Sequence, residues 1–280
     1  MAEDGRAMTD EQAPRGVDPT VPSVARMYDY YLGGKDHFHA DREAAEQIVR
    51  LARDNGADVR EVARANRGFL VRAVRHIAES GVRQFLDIGT GLPTQNNVHQ
   101  VVRGVAPDSK VVYVDNDPIV LVHAQALLAD SSGTSVVDGD LHRPADILKA
   151  AAAHLDFSRP VAIIVAAVFH FFQDDDEVAA IVSTLRDNLV PGGYLVISHS
   201  YIEPEAGQPD KMDEAKGIYR RSASGSIAWR GRETVRGYFA GLELLEPGIV
   251  PVQDWRNDEP YLPPGLAKGG VLGGVGRLHA

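Results

Sequence analysis

The sequence contains no cysteine. That excludes disulfides, thiolate metal sites and a cysteine nucleophile, and it makes the cytoplasm the expected compartment. It also has no long apolar run: the longest, PVAIIVAAVF, is about half of the ~20 residues a membrane-spanning helix needs. The opening stretch, MAEDGRAMTDEQAPRGVDPTVP, has no apolar core of the kind a secretory leader carries. Positive charge is in short supply, with 29 Lys and Arg against 39 Asp and Glu and a net charge of −10. Such a balance argues against nucleic acid or an anionic membrane as the partner and points to a small molecule or a protein. The histidines are scattered (HFH at 37–39, His99, His199) and none falls in an H-E-x-x-H pattern, so no metal is expected. Oligomeric state leaves no signal.

What is present reads as an α/β chain. Its 280 residues, 44% hydrophobic, suffice for one large domain with an appendage or for two small ones. Residues 1–22 are polar and rich in Pro and Gly, and are expected to form a disordered tail. Residues 23–81 read as a helical cap. SVARMYDYYLGG opens on a capping Ser and stops at paired glycines, and ADVREVARANRGFLVRAVRHIAESG places Val59, Val62, Phe69, Leu70, Ala73, Val74 and Ile77 on one face. From residue 82 the pattern changes to short β-branched runs alternating with helical stretches, which predicts a mostly parallel, doubly wound, Rossmann-like sheet. Strands are expected at QFLDI, VVYVD, TSVVD, VAIIVAA and YLVISH. Helices are expected to begin near Thr94, Pro118, Pro144, Asp174 and Pro209. LELLEPGIVPVQDW and GGVLGGVGRL read as an antiparallel C-terminal edge.

The turn after the first strand, FLDIGTGLPT, is the most informative. In such sheets ligands bind outside the carboxyl ends of the strands, where a turn leads into a helix. A dinucleotide fingerprint requires G-x-G-x-x-G, and here the third glycine position is Thr94. Asp87 also ends the strand, where a pyrophosphate would meet a carboxylate. That acid suits a ligand that brings a cation, as S-adenosylmethionine does. Asp115, 24 residues after Gly91, ends the second strand where an acid can accept from ribose hydroxyls. Asp140 with apolar Leu141 follows the third, suited to an adenine amino group and ring face. Any one such acid is commonly a turn former; three at successive strand ends are a pattern.

FLDIGTGLPT, VVYVDNDP, DGDL, AAVFHFFQDDDE and PGGYLVISH together resemble the class I S-adenosylmethionine-dependent methyltransferase domain. SVARMYDYYLGGKDHFHADREAAE, GLPTQNNVH and ELLEPGIVPVQDWR resemble an actinobacterial methyltransferase-like family long known as a domain of unknown function. The resemblance implies S-adenosylmethionine as cofactor, bound by residues 82–280. Gly89, Thr90 and Gly91 would pass close to its methionine part and Asp87 would lie near the ammonium. Asp115 and Asn116 would hold the ribose, and Asp140 and Leu141 would face adenine. TQNN departs from the small residues frequent at that place in the wider superfamily.

Methyl transfer needs alignment and, for hydroxyl or amine acceptors, removal of a proton, so no fixed motif is required. His170 in VFHFF is the expected base. Tyr28, Tyr31, Lys35 and His37 are the expected acceptor contacts, on a segment, Ser23–Phe38, expected to close as a lid hinged at Gly33 and Gly34. QDDDEV reads as acids at a helix start, and YRRSASGSIAWRGR as a basic stretch that meets an anionic acceptor or partner, or simply faces water. The expected function is methyl transfer to a small-molecule acceptor. A dinucleotide-dependent oxidoreductase, and a methyltransferase fold that binds without turnover, are the alternatives.

Overall fold

The structure is a computed structural model that describes residues 13, 17–54, 56–93, 96–128, 133–202, 209–223, 225–257 and 269–279. Of the expected tail, all but Ala13 and residues 17–22 lies outside the described residues, as does Thr94. The helical cap comprises α1 (Val24–Leu32), α2 (His39–Asp54) and α3 (Val59–Glu79). Helix α3 starts where the Asp58 side chain accepts from the Arg60 and Glu61 N–H groups, and its predicted apolar face, Phe69 to Ile77, is buried. Helix α1 ends at Gly33, left-handed at φ 82°. Beyond it Gly34 presses against Asp29, whose carboxylate a Cβ on Gly34 would overlap at 1.9 Å. The paired glycines thus form a packed helix end.

Ser23 occupies the N-cap position of α1 without capping it by its side chain. Its hydroxyl donates to Asp117 Oδ2 (2.6 Å) and its N–H to Asp41 Oδ1 (2.9 Å). Asp41 Oδ2 also accepts from Arg26 Nε (2.8 Å) and the Phe38 N–H (2.7 Å). This buried ion pair knits α1, α2 and the loop between them, with the Arg26 guanidinium lying over the Phe38 ring.

The sheet follows the predicted strands: β1 (Gln84–Ile88), β2 (Lys110–Asp115), β3 (Thr134–Asp138), β4 (Ala162–Ala166) and β5 (Tyr194–Ile202), all parallel, in the order β3-β2-β1-β4-β5. Both faces of the central strands are covered, which is why they read as continuously apolar. One face (Leu86, Val112, Ile163, Leu195) packs on α6 (Pro144–Ala151) and α7 (Asp175–Asp187). The other (Phe85, Val111, Ile164, Val196) packs on α3 and α4 (Val98–Val105). Helix α5 (Pro118–Leu128) follows β2. Asp174 caps α7 as the acid run predicted.

After β5 come α8 (Pro209–Tyr219), which joins the cap, and α9 (Arg232–Gly237), then β6 (Glu243–Leu244), β7 (Val250–Pro251) and β8 (Gly269–Arg277). Strand β8 lies antiparallel beside β5, and β6 and β7 pair with its other edge. No described helix is long and apolar enough to cross a membrane.

The Asp41 contacts generate a stability prediction. Asp41→Ala leaves the Arg26 charge buried without its carboxylate, a change that costs about 3–5 kcal/mol in comparable pairs. Urea denaturation should show a loss of that size; a loss under ~1 kcal/mol would show that Arg26 finds another partner.

Candidate active site

The strand ends β1, β2 and β3 converge on one cavity of about 1280 Å³. The Gly89 and Thr90 N–H groups both donate to the Val114 carbonyl (2.8 and 3.2 Å), which lashes the glycine turn to β2. Gly89 sits at φ +71°, and a Cβ there would lie 2.4 Å from Val168 Cγ2, so the turn needs glycine to touch the loop after β4. Gly91, at φ +66°, faces open space.

Asp115 organises both turns. Its Oδ2 accepts from the Gly91 N–H (2.9 Å), and its Oδ1 from the N–H groups of Asn116 (2.9 Å) and Asp117 (3.0 Å). Asp117 in turn accepts from the Ile119 N–H at the start of α5 (2.9 Å). Burial raises the Asp115 carboxyl above its ordinary range, against the pull of the backbone donors. Asp87 is buried, and burial pushes its pKa up to about 6; the Thr90 hydroxyl, donating at 3.0 Å, and the Arg67 charge act in the opposite direction. Asp140 turns the chain by accepting from the His142 N–H (3.0 Å), and Leu141 is buried beside it. The Phe172 ring lies 4.4 Å from His142, whose Nδ1 meets Glu177 at 2.6 Å.

All eight predicted cofactor residues, Asp87, Gly89, Thr90, Gly91, Asp115, Asn116, Asp140 and Leu141, line this cavity. So do Tyr28, Tyr31 and His170. Lys35 and His37 do not line it: Lys35 is exposed, while the His37 ring is spent on the Gly34 carbonyl (3.1 Å) and an edge contact with Tyr30. His170 is buried, and burial with the neighbouring His199 and Arg230 holds its pKa well below the usual imidazole range. Its Nδ1 accepts from the Ser200 N–H (3.4 Å), which leaves Nε2 to carry the proton of the neutral ring.

Three residues escaped the sequence reading. Arg67 of α3 lines the cavity and donates to Asn97 Oδ1 (2.9 Å). Asn66 donates from Nδ2 to the Tyr28 hydroxyl (3.0 Å) and accepts from Ser198 Oγ (2.7 Å), which accepts from the Ala167 N–H (2.9 Å). This line of bonds runs from the cap to Ala167, held at φ 59°. Arg230, buried within the basic stretch, donates to the Phe169 (3.0 Å) and Phe172 (2.9 Å) carbonyls, to Asp175 (2.7 Å) and to His199 Nε2 (2.9 Å). It clamps the loop that carries His170. The apolar side chains of SIAWRGR give no signal that the first of its two arginines turns inward.

A parallel sheet with an antiparallel edge, a glycine turn at the switch between β1 and β4, and acids at three strand ends define a Rossmann-like protein of the S-adenosylmethionine-binding class. The family model for S-adenosyl methyltransferase matches residues 10–279, and the chain belongs to that family. It is similar to a methyltransferase candidate from Thermobifida fusca YX, 40% identical, with 96% of this chain and 99% of that one covered and a TM-score of 0.85. It is also similar to a DUF574 family protein from Streptomyces avermitilis MA-4680, 39% identical over 93% of this chain and 99% of that one, with a TM-score of 0.82. No curated protein matches.

The raised Asp87 carboxyl generates a prediction with a definite sign. The folded protein holds a proton that the unfolded chain releases between the ordinary value of 3.8 and about 6. The Asp87 contribution to the stability of the ligand-free protein therefore falls as pH rises through that window and is level above it, while the buried His170 and His199, held below the usual imidazole range, contribute in the opposite sense. Asp87→Asn should remove only the Asp87 share of the pH dependence, leaving that of Asp29, also raised to about 6, and of Asp115, and at neutral pH should stabilise the ligand-free protein by about 2–3 kcal/mol. Chemical denaturation across the window checks it; an unchanged slope would assign the titration elsewhere.

Proposed function

We propose that this S-adenosylmethionine-dependent methyltransferase acts on a small-molecule acceptor held between the strand ends and the helical cap, in the cytoplasm. The observation that carries the reading is the single cavity that both parts line. At about 1280 Å³ it exceeds the ~300–1,000 Å³ of an ordinary single-ligand site, which leaves room for cofactor and acceptor together.

The residues at the strand ends fit the cofactor. Asp87 offers a carboxylate to its ammonium, and Arg67, close enough to influence the Asp87 carboxyl, offers a cation to its carboxylate. Asp115 and Asn116 suit the ribose. Asp140 suits the adenine amino group, while Leu141 and Phe172 offer apolar surface to the ring. When bound, S-adenosylmethionine supplies an electrophilic methyl group. The protein's share is to align the acceptor and exclude water, which the cap does from above. His170 is the candidate for handling the acceptor's proton. Burial keeps the ring neutral, as a base must be. Proton uptake at Nε2 calls for the other tautomer, whose Nδ1–H would face the Ser200 N–H, so the long contact there is lost and the ring must turn away from it.

The oxidoreductase alternative fits poorly, because a pyrophosphate at the glycine turn would lie against Asp87 and Asp115. Calorimetry should show S-adenosylmethionine or its demethylated product binding far more tightly than NADPH, and the reverse order would overturn the reading. Asp115→Ala should weaken cofactor binding by about 1.5–3 kcal/mol, the worth of a hydrogen bond to a charged group, which is roughly 10- to 150-fold in Kd. Because Asp115 also holds three backbone N–H groups, circular dichroism of the variant must first show an intact fold. Parent-like affinity in a folded variant would remove Asp115 from the cofactor site.

A further inference from the structure

The cap end of the cavity has a chemistry unlike the strand-end half. Helices α1, α2, α3 and α8 and the segment around Ile227 and Trp229 share one hydrophobic cluster of their own, separate from the two that sandwich the sheet. Many members of that cluster also line the cavity, so the core of the cap encloses a chamber. Its walls carry the rings of Tyr28, Tyr31, Phe171, Tyr219 and Trp229, with Met27 between α1 and its neighbours. The rings that line the chamber carry no charge at neutral pH, because burial raises the hydroxyls of Tyr28, Tyr31 and Tyr219 and keeps them protonated, and the Arg60–Glu46 ion pair beside Tyr30 does not line the cavity.

The charged side chains that line the cavity lie elsewhere. Asp87, Asp115, Asp117, Asp140 and Arg67 surround the strand ends, Arg26 is paired with Asp41, and Asp18 accepts from Thr20. An ammonium entering the chamber would exchange its hydration for ring faces alone, and a carboxylate for tyrosine hydroxyls alone, without an opposite charge on the chamber wall, at a cost of several kcal/mol per ion. An uncharged ring surrenders little and gains apolar and aromatic contact.

We propose that the acceptor is an uncharged aromatic molecule, bound with its ring in the chamber between α1, α2, α3 and α8. This rests on the methyltransferase reading above and narrows the acceptor to one chemical class. Selection by charge follows from the wall itself: amines that are ammonium ions at neutral pH, and free carboxylic acids, are poor ligands however well their rings fit.

Three probes with one ring system and different charge separate the possibilities: 2-naphthol, 2-naphthoate and 2-naphthylmethylammonium. Each is titrated by calorimetry into the full chain saturated with S-adenosylhomocysteine. The expected result is saturable binding of 2-naphthol, one per chain, with a Kd at least tenfold below that of either ion. Ala215 of α8 and Ala52 of α2 both line the cavity, so Ala215→Phe and Ala52→Phe fill it from two different helices. Each should weaken 2-naphthol at least tenfold and leave the Kd of S-adenosylhomocysteine unchanged, a readout that also shows the variant is folded. Equal or tighter binding of an ion, no binding of 2-naphthol to the saturated protein, or indifference of 2-naphthol to both substitutions would overturn the proposal and leave the methyltransferase reading standing. Failure of S-adenosylhomocysteine itself to bind would instead overturn the reading beneath it.

Discussion

One carboxylate sets the geometry of the site. Asp115 collects N–H groups from Gly91 on one side and from Asn116 and Asp117 on the other, so the turn after β1 and the turn after β2 share a single acceptor. From there the bonding continues outward. Asp117 receives the Ser23 hydroxyl, the Ser23 N–H reaches Asp41, and Asp41 holds Arg26. The cap is thus fastened to the strand ends by a chain of carboxylates alternating with donors. Carboxylates can serve this way only because each receives several donors; a buried acid without them would be expelled or protonated.

The same arrangement explains why the cavity holds two kinds of surface. The acids must lie at the strand ends, where free N–H groups of turns and helix starts are concentrated. The helices of the cap have no free N–H groups along their flanks and cover one another with apolar side chains. A molecule spanning the cavity passes from a polar, hydrogen-bonding wall to an oily one. His170 and the loop clamped by Arg230 lie among the residues that line it.

Much of this was legible in the chain, and the boundary of legibility has a physical cause. The central strands read clearly because burial on both faces leaves long apolar runs, and Asp87, Asp115 and Asp140 stand out as acids within two residues of strand ends. The cap's α3 was visible from its periodicity. Ser23 resembled a helix cap because local sequence favours that reading; its hydroxyl goes instead to Asp117, 94 residues away. Asn66 meets Ser198 across 132 residues and Arg230 meets Phe169 across 61. Nothing near either residue announces such a partner. Lys35 and His37 illustrate the opposite error, polar residues whose setting is wholly local: one faces water and the other closes the end of its own turn.

The bonds from Tyr28 through Asn66 and Ser198 to Ala167 join the first helix of the cap to the loop beyond β4. Their members come from α1, α3 and β5, three segments widely spaced along the chain. The cap is therefore not a portable module. Grafted onto another sheet of the same topology without a serine at the place of Ser198, it would bring the buried Asn66 side chain without the donor that its Oδ1 accepts from. A recombination experiment that cuts the chain between the cap and β1 should respect this seam, exchanging Ser198 together with the helices it serves.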